Sequence, residues 1–269
     1  DLFLKVVRPH RVGALHRRHR LLTDAGVPVP HSYGYTPDGL LALRAVPGRN
    51  LRDVVWVGGR VPTGRHLLSL LDRLPAELTR EPRRASWLER AGHYAAVVAG
   101  ALPEEAERVS ALAEEITAEA GTGPTVPVHG DFYEGQLHVT GGQVRGLLDV
   151  DTAGPGERLD DLACLLGHLS VLAQLDPARA EAVNRTGAAY LATFDRVVDA
   201  ADLRYRTAAV VLSLATGPHR VQDPGWPAHT RARLELARRW VDSARAARAT
   251  AGEEVLMPAT DALHAAARR

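Results

Sequence analysis

The first apolar run, Leu2-Phe3-Leu4-Lys5-Val6-Val7, is apolar around one lysine and predicts a β-strand over 2–7. Val12, Leu15 and Leu22 then share one face of a helix predicted over 11–25, with Gly26 as its stop. The stretch Val27-Pro28-Val29-Pro30 is extended, because each proline bars the helical region to itself or to its predecessor. Two short strands follow near 31–36 and 40–44. They are joined through Pro37-Asp38-Gly39, where proline presets φ and glycine accepts a positive one. Residues 1–44 therefore read as β-α-β-β.

From Val46-Pro47-Gly48 onward the periodicity changes to helical. Ser86-Trp87-Leu88-Glu89 has capping-box spacing ahead of a helix reaching about Leu102. Pro103-Glu104-Glu105 opens another helix, with Val109, Leu112 and Ile116 on its inner face and Gly121 as its close. Residues 126–152 interrupt this pattern. Val126-Pro127-Val128 is extended, and two apolar strands, Leu137-His138-Val139 and Val144-Arg145-Gly146-Leu147-Leu148, flank Gly141-Gly142, a hairpin signal. After Pro155 helices are expected over 160–174, 177–199, 201–216 and 228–250, with the last dozen residues as a weakly held tail. The whole is an α+β pattern with a small strand-bearing part, residues 1–47, and a larger, mainly helical part, residues 48–269.

At 269 residues the chain is long enough for a real core without metal or disulfide support. Its 33 basic and 32 acidic residues argue against a dedicated nucleic-acid binder. One cysteine, Cys164, excludes an intrachain disulfide and fits a reducing cytoplasm. There is no signal peptide and no membrane-length apolar stretch. Lys5 is the one lysine in an arginine-rich chain, and codon bias explains the missing lysines but not the position of the one present. The chain opens in mid-strand without an initiator methionine, so it is expected to be a fragment or a trimmed form.

Chemistry concentrates on either side of the glycine hairpin. His129-Gly130-Asp131-Phe132-Tyr133-Glu134-Gly135-Gln136 precedes it, and Leu147-Leu148-Asp149-Val150-Asp151 ends it. Asp131 and Asp149 stand eighteen positions apart, a separation that lets a hairpin return the second acid beside the first. Phosphoryl transfer needs a divalent metal at the nucleotide phosphates and a carboxylate to orient the attacking hydroxyl. Two Asp residues and an amide oxygen are hard ligands of the kind magnesium takes. Acids in loops are more often solvated or capping, and a bare His-Gly-Asp is a weak signal. The joint pattern of strand, triplet, amide and hairpin is what points to function.

The segment VHGDFYEGQLHVTGGQVRGLLDVDTAGPGERLDDLA resembles the catalytic signature of the aminoglycoside-phosphotransferase family, and LFLKVV, VPVP and RAVPGRNL resemble its small lobe and hinge. The resemblance implies a protein-kinase-like fold with a truncated small lobe and a helical large lobe. It implies ATP and Mg2+ as cofactors and transfer of the γ-phosphate to a small-molecule hydroxyl, with no membrane partner. Asp131 is then the catalytic base, Asp149 and Gln136 (where the family has Asn) the metal ligands, and Lys5 the contact to the α- and β-phosphates. Arg44, Ala45 and Val46 fall in the hinge that meets adenine. His129 braces the loop. Asp161 caps or anchors its helix, or has a function of its own, and Asp151 assists the metal or is solvated.

Two departures from the family pattern concern Lys5. The glycine-rich hairpin expected before it is not in this sequence, and residues 15–20 of the first helix, Leu-His-Arg-Arg-His-Arg, offer no acid to pair with it. Lys5 is therefore expected to meet Asp149 or phosphate alone. These departures keep a kinase-shaped binding module open beside the enzyme. Aspartyl-nucleophile phosphatases fit less well, since Thr152 comes one position too early and the downstream chain lacks strand-helix alternation. Residues 160–250 are expected to supply the acceptor site, but their acids are interspersed with arginines and give no vote for a polycation. Trp226 either stacks on a flat ligand or fills a helix junction.

Overall fold

The computed structural model describes residues 1–266, and side chains through residue 251. Strand β1 (Leu2–Val6) leads to helix α1 (Pro9–Asp24), strands β2 (Ser32–Tyr35), β3 (Leu40–Arg44) and β4 (Arg49–Asn50), and helices α2 (Leu51–Trp56), α3 (Gly64–Asp72), α4 (Ala91–Ala101) and α5 (Ala106–Glu119). Strands β5 (Thr125–Val128), β6 (Leu137–Thr140), β7 (Gln143–Leu147) and β8 (Gly154–Glu157) follow. The chain ends in α6 (Arg158–Leu175), α7 (Ala180–Phe194), α8 (Ala200–Ala215), α9 (Gly217–Arg220) and α10 (Trp226–Ala266). It is the α+β pattern expected. By packing, the chain divides into two compact units, residues 1–87 with 122–194 and residues 88–121 with 195–269. This division falls elsewhere than near residue 47, because β4 just past that point pairs with β6 and ties the early chain to the later hairpin.

In the first unit, β1 and β2 both pair antiparallel with β3, so β1 is an edge strand in which Lys5 faces Leu41 in register. Helix α1 starts two residues earlier than expected because Pro9 occupies its first turn, where a missing N–H costs nothing. Val12, Leu15, His19 and Leu22 form its buried face. The turn at Gly39 (φ 106°) receives the Val7 N–H, and a Cβ there would stand 2.1 Å from the Val7 carbonyl oxygen, so only glycine fits. The core is built from Leu51, Leu67, Leu70, Leu71, Phe132, Leu137, Leu147, Leu165, Tyr190 and Phe194.

The predicted hairpin forms between β6 and β7, with Gly141 (φ 58°) and Gly142 (φ 79°) as its two-residue turn. Strand β8, absent from the sequence-based expectation, pairs antiparallel with β5. Its sequence, Gly-Pro-Gly-Glu, has little strand preference of its own. A Cβ on Gly156 would lie 2.6 Å from Val128 Cγ2, so small residues allow β5 to approach.

The second unit is helical. Helix α10 packs mainly on α8, and Val109, Leu112, Ile116, Leu203, Val211, Leu234 and Val241 are buried. Helix α4 begins at Ala91, not at Ser86; residues 87–90 form a turn before it. Helix α10 continues past the expected end at 250 to Ala266, and the last three residues of the expected tail lie outside the described residues. Trp226, at the start of α10, meets His219 edge-on at a ring separation of 4.6 Å.

Candidate active site

Asp131 and Asp149 converge. The Gln136 amide nitrogen is 3.4 Å from Asp131 Oδ2 and 3.5 Å from Asp149 Oδ2, so one side chain spans both carboxylates. Turning the amide over exchanges its nitrogen for its oxygen, which puts two hard oxygen donors, from Gln136 and Asp149, beside Asp131. That donor set fits a magnesium ion. Asp149 has φ 54° and ψ 53°, a left-handed conformation that Asp tolerates better than most side chains, at the exit of β7.

Lys5 Nζ lies 2.7 Å from Asp149 Oδ1 and 2.6 Å from Asp151 Oδ2. Burial would lower the Lys5 ammonium, but these two partners outweigh it and raise its pKa. Burial likewise would raise Asp149, and the bond and charge of Lys5 hold it below the usual range. Asp151 is thus an ion-pair partner of Lys5.

The His129-Gly130-Asp131 loop is fixed from beneath. Asp161, in the first turn of α6, is fully buried and accepts the His129 N–H at 2.7 Å and the Gly130 N–H at 2.8 Å. Burial pushes its pKa up to about 7, against the two amides that favour the ionised form. Asp161 therefore anchors the His129–Asp131 loop, while α6 begins at Arg158 with Glu157 before it and no side-chain cap. Gly130 (φ 79°) is required because a Cβ would stand 2.7 Å from the Thr152 carbonyl oxygen.

His129 ties the two halves together. Its Nε2–H donates to the Leu148 carbonyl at 2.9 Å, and its Nδ1 accepts the Asp131 N–H at 3.3 Å. The Nδ1 acceptor bond needs a neutral ring, and burial lowers the His129 pKa against the Leu148 bond, which raises it. This is a bracing role.

Asp131 itself is raised by burial, which outweighs the lowering by His129 and Gln136. Its two oxygens face different chemistry. Oδ2 looks to Gln136, whereas Oδ1 lies 3.9 Å from the Cys164 sulfur.

Arg44, Ala45 and Val46 line a cavity of about 690 Å³ with Thr23, Val29 and Arg145, and Lys5 is not among its lining residues. The Arg44 and Ala45 amides are already used, donating to His31 O and Asp1 O. Asp131, Gln136 and Asp149 do not line this cavity.

Several neighbours had no signal in the sequence reading. Arg18 of α1 donates to the carbonyls of Asp151 (2.8 Å) and Val150 (3.3 Å) and pairs with Glu81 at 2.5 Å. Arg52 pairs with the buried Glu134 at 3.0 Å. Cys164 and His168 sit near Asp131, and Tyr133 stacks on His168 at 4.1 Å. The spacing Asp161, Cys164, His168 puts all three on one face of α6, which is the pattern that would have exposed them.

The profile described as Phosphotransferase enzyme family matches residues 1–201. No curated protein sequence matches the chain. Structures of similar fold include a choline/ethanolamine kinase family protein from Mesorhizobium loti, at 17% identity and a TM-score of 0.57, covering 92% of this chain and 86% of that one. The GDP and kanamycin complex of APH(2")-IIia matches at 14% identity and a TM-score of 0.60, covering 88% and 86%. A glucosamine kinase matches at 19% and 0.56, covering 87% and 72%. At these identities the likeness is one of fold. Among the described residues no helix is long and apolar enough to cross a membrane.

Proposed function

The chain belongs to the phosphotransferase enzyme family, and from that membership we propose that it is an ATP- and Mg2+-dependent small-molecule kinase moving the γ-phosphoryl group to a hydroxyl. The observation that carries this reading is the convergence of Asp131 and Asp149 on the Gln136 amide. Asp131 orients the acceptor hydroxyl and takes its proton, a task suited to a carboxylate whose pKa burial has raised. Asp149 and Gln136 hold the magnesium ion, which when bound neutralises charge on the phosphate oxygens. Lys5 leaves its two carboxylates to meet the α- and β-phosphates, and Asp151 keeps it in reach. The segment 44–46 receives the adenine. His129 and Asp161 keep the base in position.

The acceptor class is aminoglycoside-, sugar- or amino-alcohol-like. One observation favours a second reading, a binding module of kinase shape: Lys5 is committed to Asp149 and Asp151. A panel of such acceptors with Mg-ATP, reading ADP release, separates the two. The kinase reading expects acceptor-dependent release that falls about 10²–10⁴-fold in Asp131→Ala without loss of fold. Acceptor binding that no nucleotide influences, with no ADP formed, would favour the module.

A further inference from the structure

We propose that Asp131, Cys164 and His168 form a site for a borderline-soft divalent cation, Zn2+ above all, distinct in chemistry from the magnesium site on the other side of Asp131. One ligand atom from each residue lies within 4.8 Å of the other two. Ligands around a tetrahedral zinc ion stand roughly 3.3–3.7 Å apart, so side-chain rotations of about 1 Å close the set. The Asp131 Oδ1 to Cys164 Sγ distance is already 3.9 Å.

The arrangement is held in advance. Cys164 and His168 are four residues apart on α6 and share a face, the spacing by which helical ligand pairs chelate a metal. Asp131 comes from the loop that Asp161, one turn earlier on the same helix, fixes through two amides. Tyr133 stacks on the His168 ring with an interplanar angle of 24°, which limits its rotation. Asp131 and His168 are partly exposed, giving an ion a way in, while the sulfur is buried behind them.

Electrostatics favour a dication here. Burial raises the Cys164 thiol, and the charges of Asp131, Asp161, Glu134 and Asp160 add to that. Glu134 Oε2, buried without a partner, belongs to the same negative surroundings. A field that opposes a thiolate alone is relieved by a metal ion bound to it. On binding, the S–H bond breaks, the sulfur electron pair goes to the metal and the proton leaves to water. Sulfur and imidazole donors select zinc-like ions over magnesium, which takes oxygen donors. The consequence for catalysis rests on the reading of Asp131 as base: an ion on Oδ1 takes that carboxylate from the hydroxyl, so zinc inhibits. The site itself does not depend on that reading.

The test is a Co2+ titration of the metal-stripped full chain, read by absorption. The chain has one cysteine, so a thiolate-to-cobalt charge-transfer band reports on Cys164 alone. The expected result is such a band at one ion per chain, displaced by Zn2+ and indifferent to Mg2+. His168→Gln should weaken Co2+ binding on the order of tenfold or more. Cys164→Ser should abolish the band and shift zinc inhibition of Mg-ATP turnover to higher concentration. Absence of the band in the wild-type protein, or unchanged Co2+ affinity in folded His168→Gln, would overturn the proposal. A band in a protein that never turns over would leave the metal site standing and sink the kinase reading.

Discussion

Two helices hold the two ends of the Asp131–Asp149 hairpin with opposite chemistry. Helix α6 presents an anion to donors, the Asp161 carboxylate beneath the His129 and Gly130 amides. Helix α1 presents a cation to acceptors, the Arg18 guanidinium on the Val150 and Asp151 carbonyls. Asp161 is 0% exposed, whereas the Arg18 side chain is 10% exposed and its partner Glu81 30%. The Asp131 end is therefore fixed in a dry site, and the Asp149 end is held where water can compete. Lys5 bridges Asp149 and Asp151 at that second end. The first helix thus contributes a cation to the loop backbone where a lysine-pairing acid was sought, and the loop's own acids take the lysine.

The largest effect should come from breaking the dry clamp. Asp161→Ala leaves two buried amides without acceptors, at about 1–3 kcal/mol each. Chemical denaturation should show a loss of about 2–5 kcal/mol, and turnover should fall with it. A stable variant with wild-type activity would contradict the anchoring role.

The α1 side can be probed by pH. His19 Nδ1–H donates to the Pro30 carbonyl at 2.8 Å, and burial lowers its pKa from 6.5 to about 4. The unfolded chain binds this proton near pH 6.5 and the folded chain does not. Stability from this group is therefore complete above pH 6.5 and is lost as pH falls from 6.5 towards 4. The full loss is about 3 kcal/mol. Denaturation of His19→Gln against wild type across that range should remove this part of the acid lability. Parallel pH profiles would contradict it.

The smallest effect on stability is expected at the wet clamp. Arg18→Ala should cost about 1 kcal/mol, since Glu81 and Asp151 among its partners retain access to water. It should nonetheless raise the Mg2+ concentration needed for nucleotide binding several-fold, with Arg18→Lys intermediate because an ammonium cannot fork between carbonyl and carboxylate. An unchanged magnesium dependence would make Arg18 a packing residue only.

Legibility in the sequence followed the range of the interactions. The Gly141-Gly142 turn, the proline-bounded extended segment and the helical face of α1 are local, and each was readable from spacing. The pairing of Asp131 with Asp149 was readable because a short hairpin joins them. Arg18 meets Asp151 across 133 positions, and no local pattern announces such a contact. Strand β8 was hidden because its glycines and proline oppose strand formation except beside β5. Asp161 was noticed for its place at a helix start, while its actual partners lie more than thirty residues upstream.

The proposed magnesium site is tested most directly by measuring nucleotide affinity with and without Mg2+ in wild type, Asp149→Ala and Asp131→Ala. The prediction is that Mg2+ tightens binding in wild type and Asp131→Ala, and that Asp149→Ala loses this gain altogether. Full retention of the magnesium effect in Asp149→Ala would contradict the account.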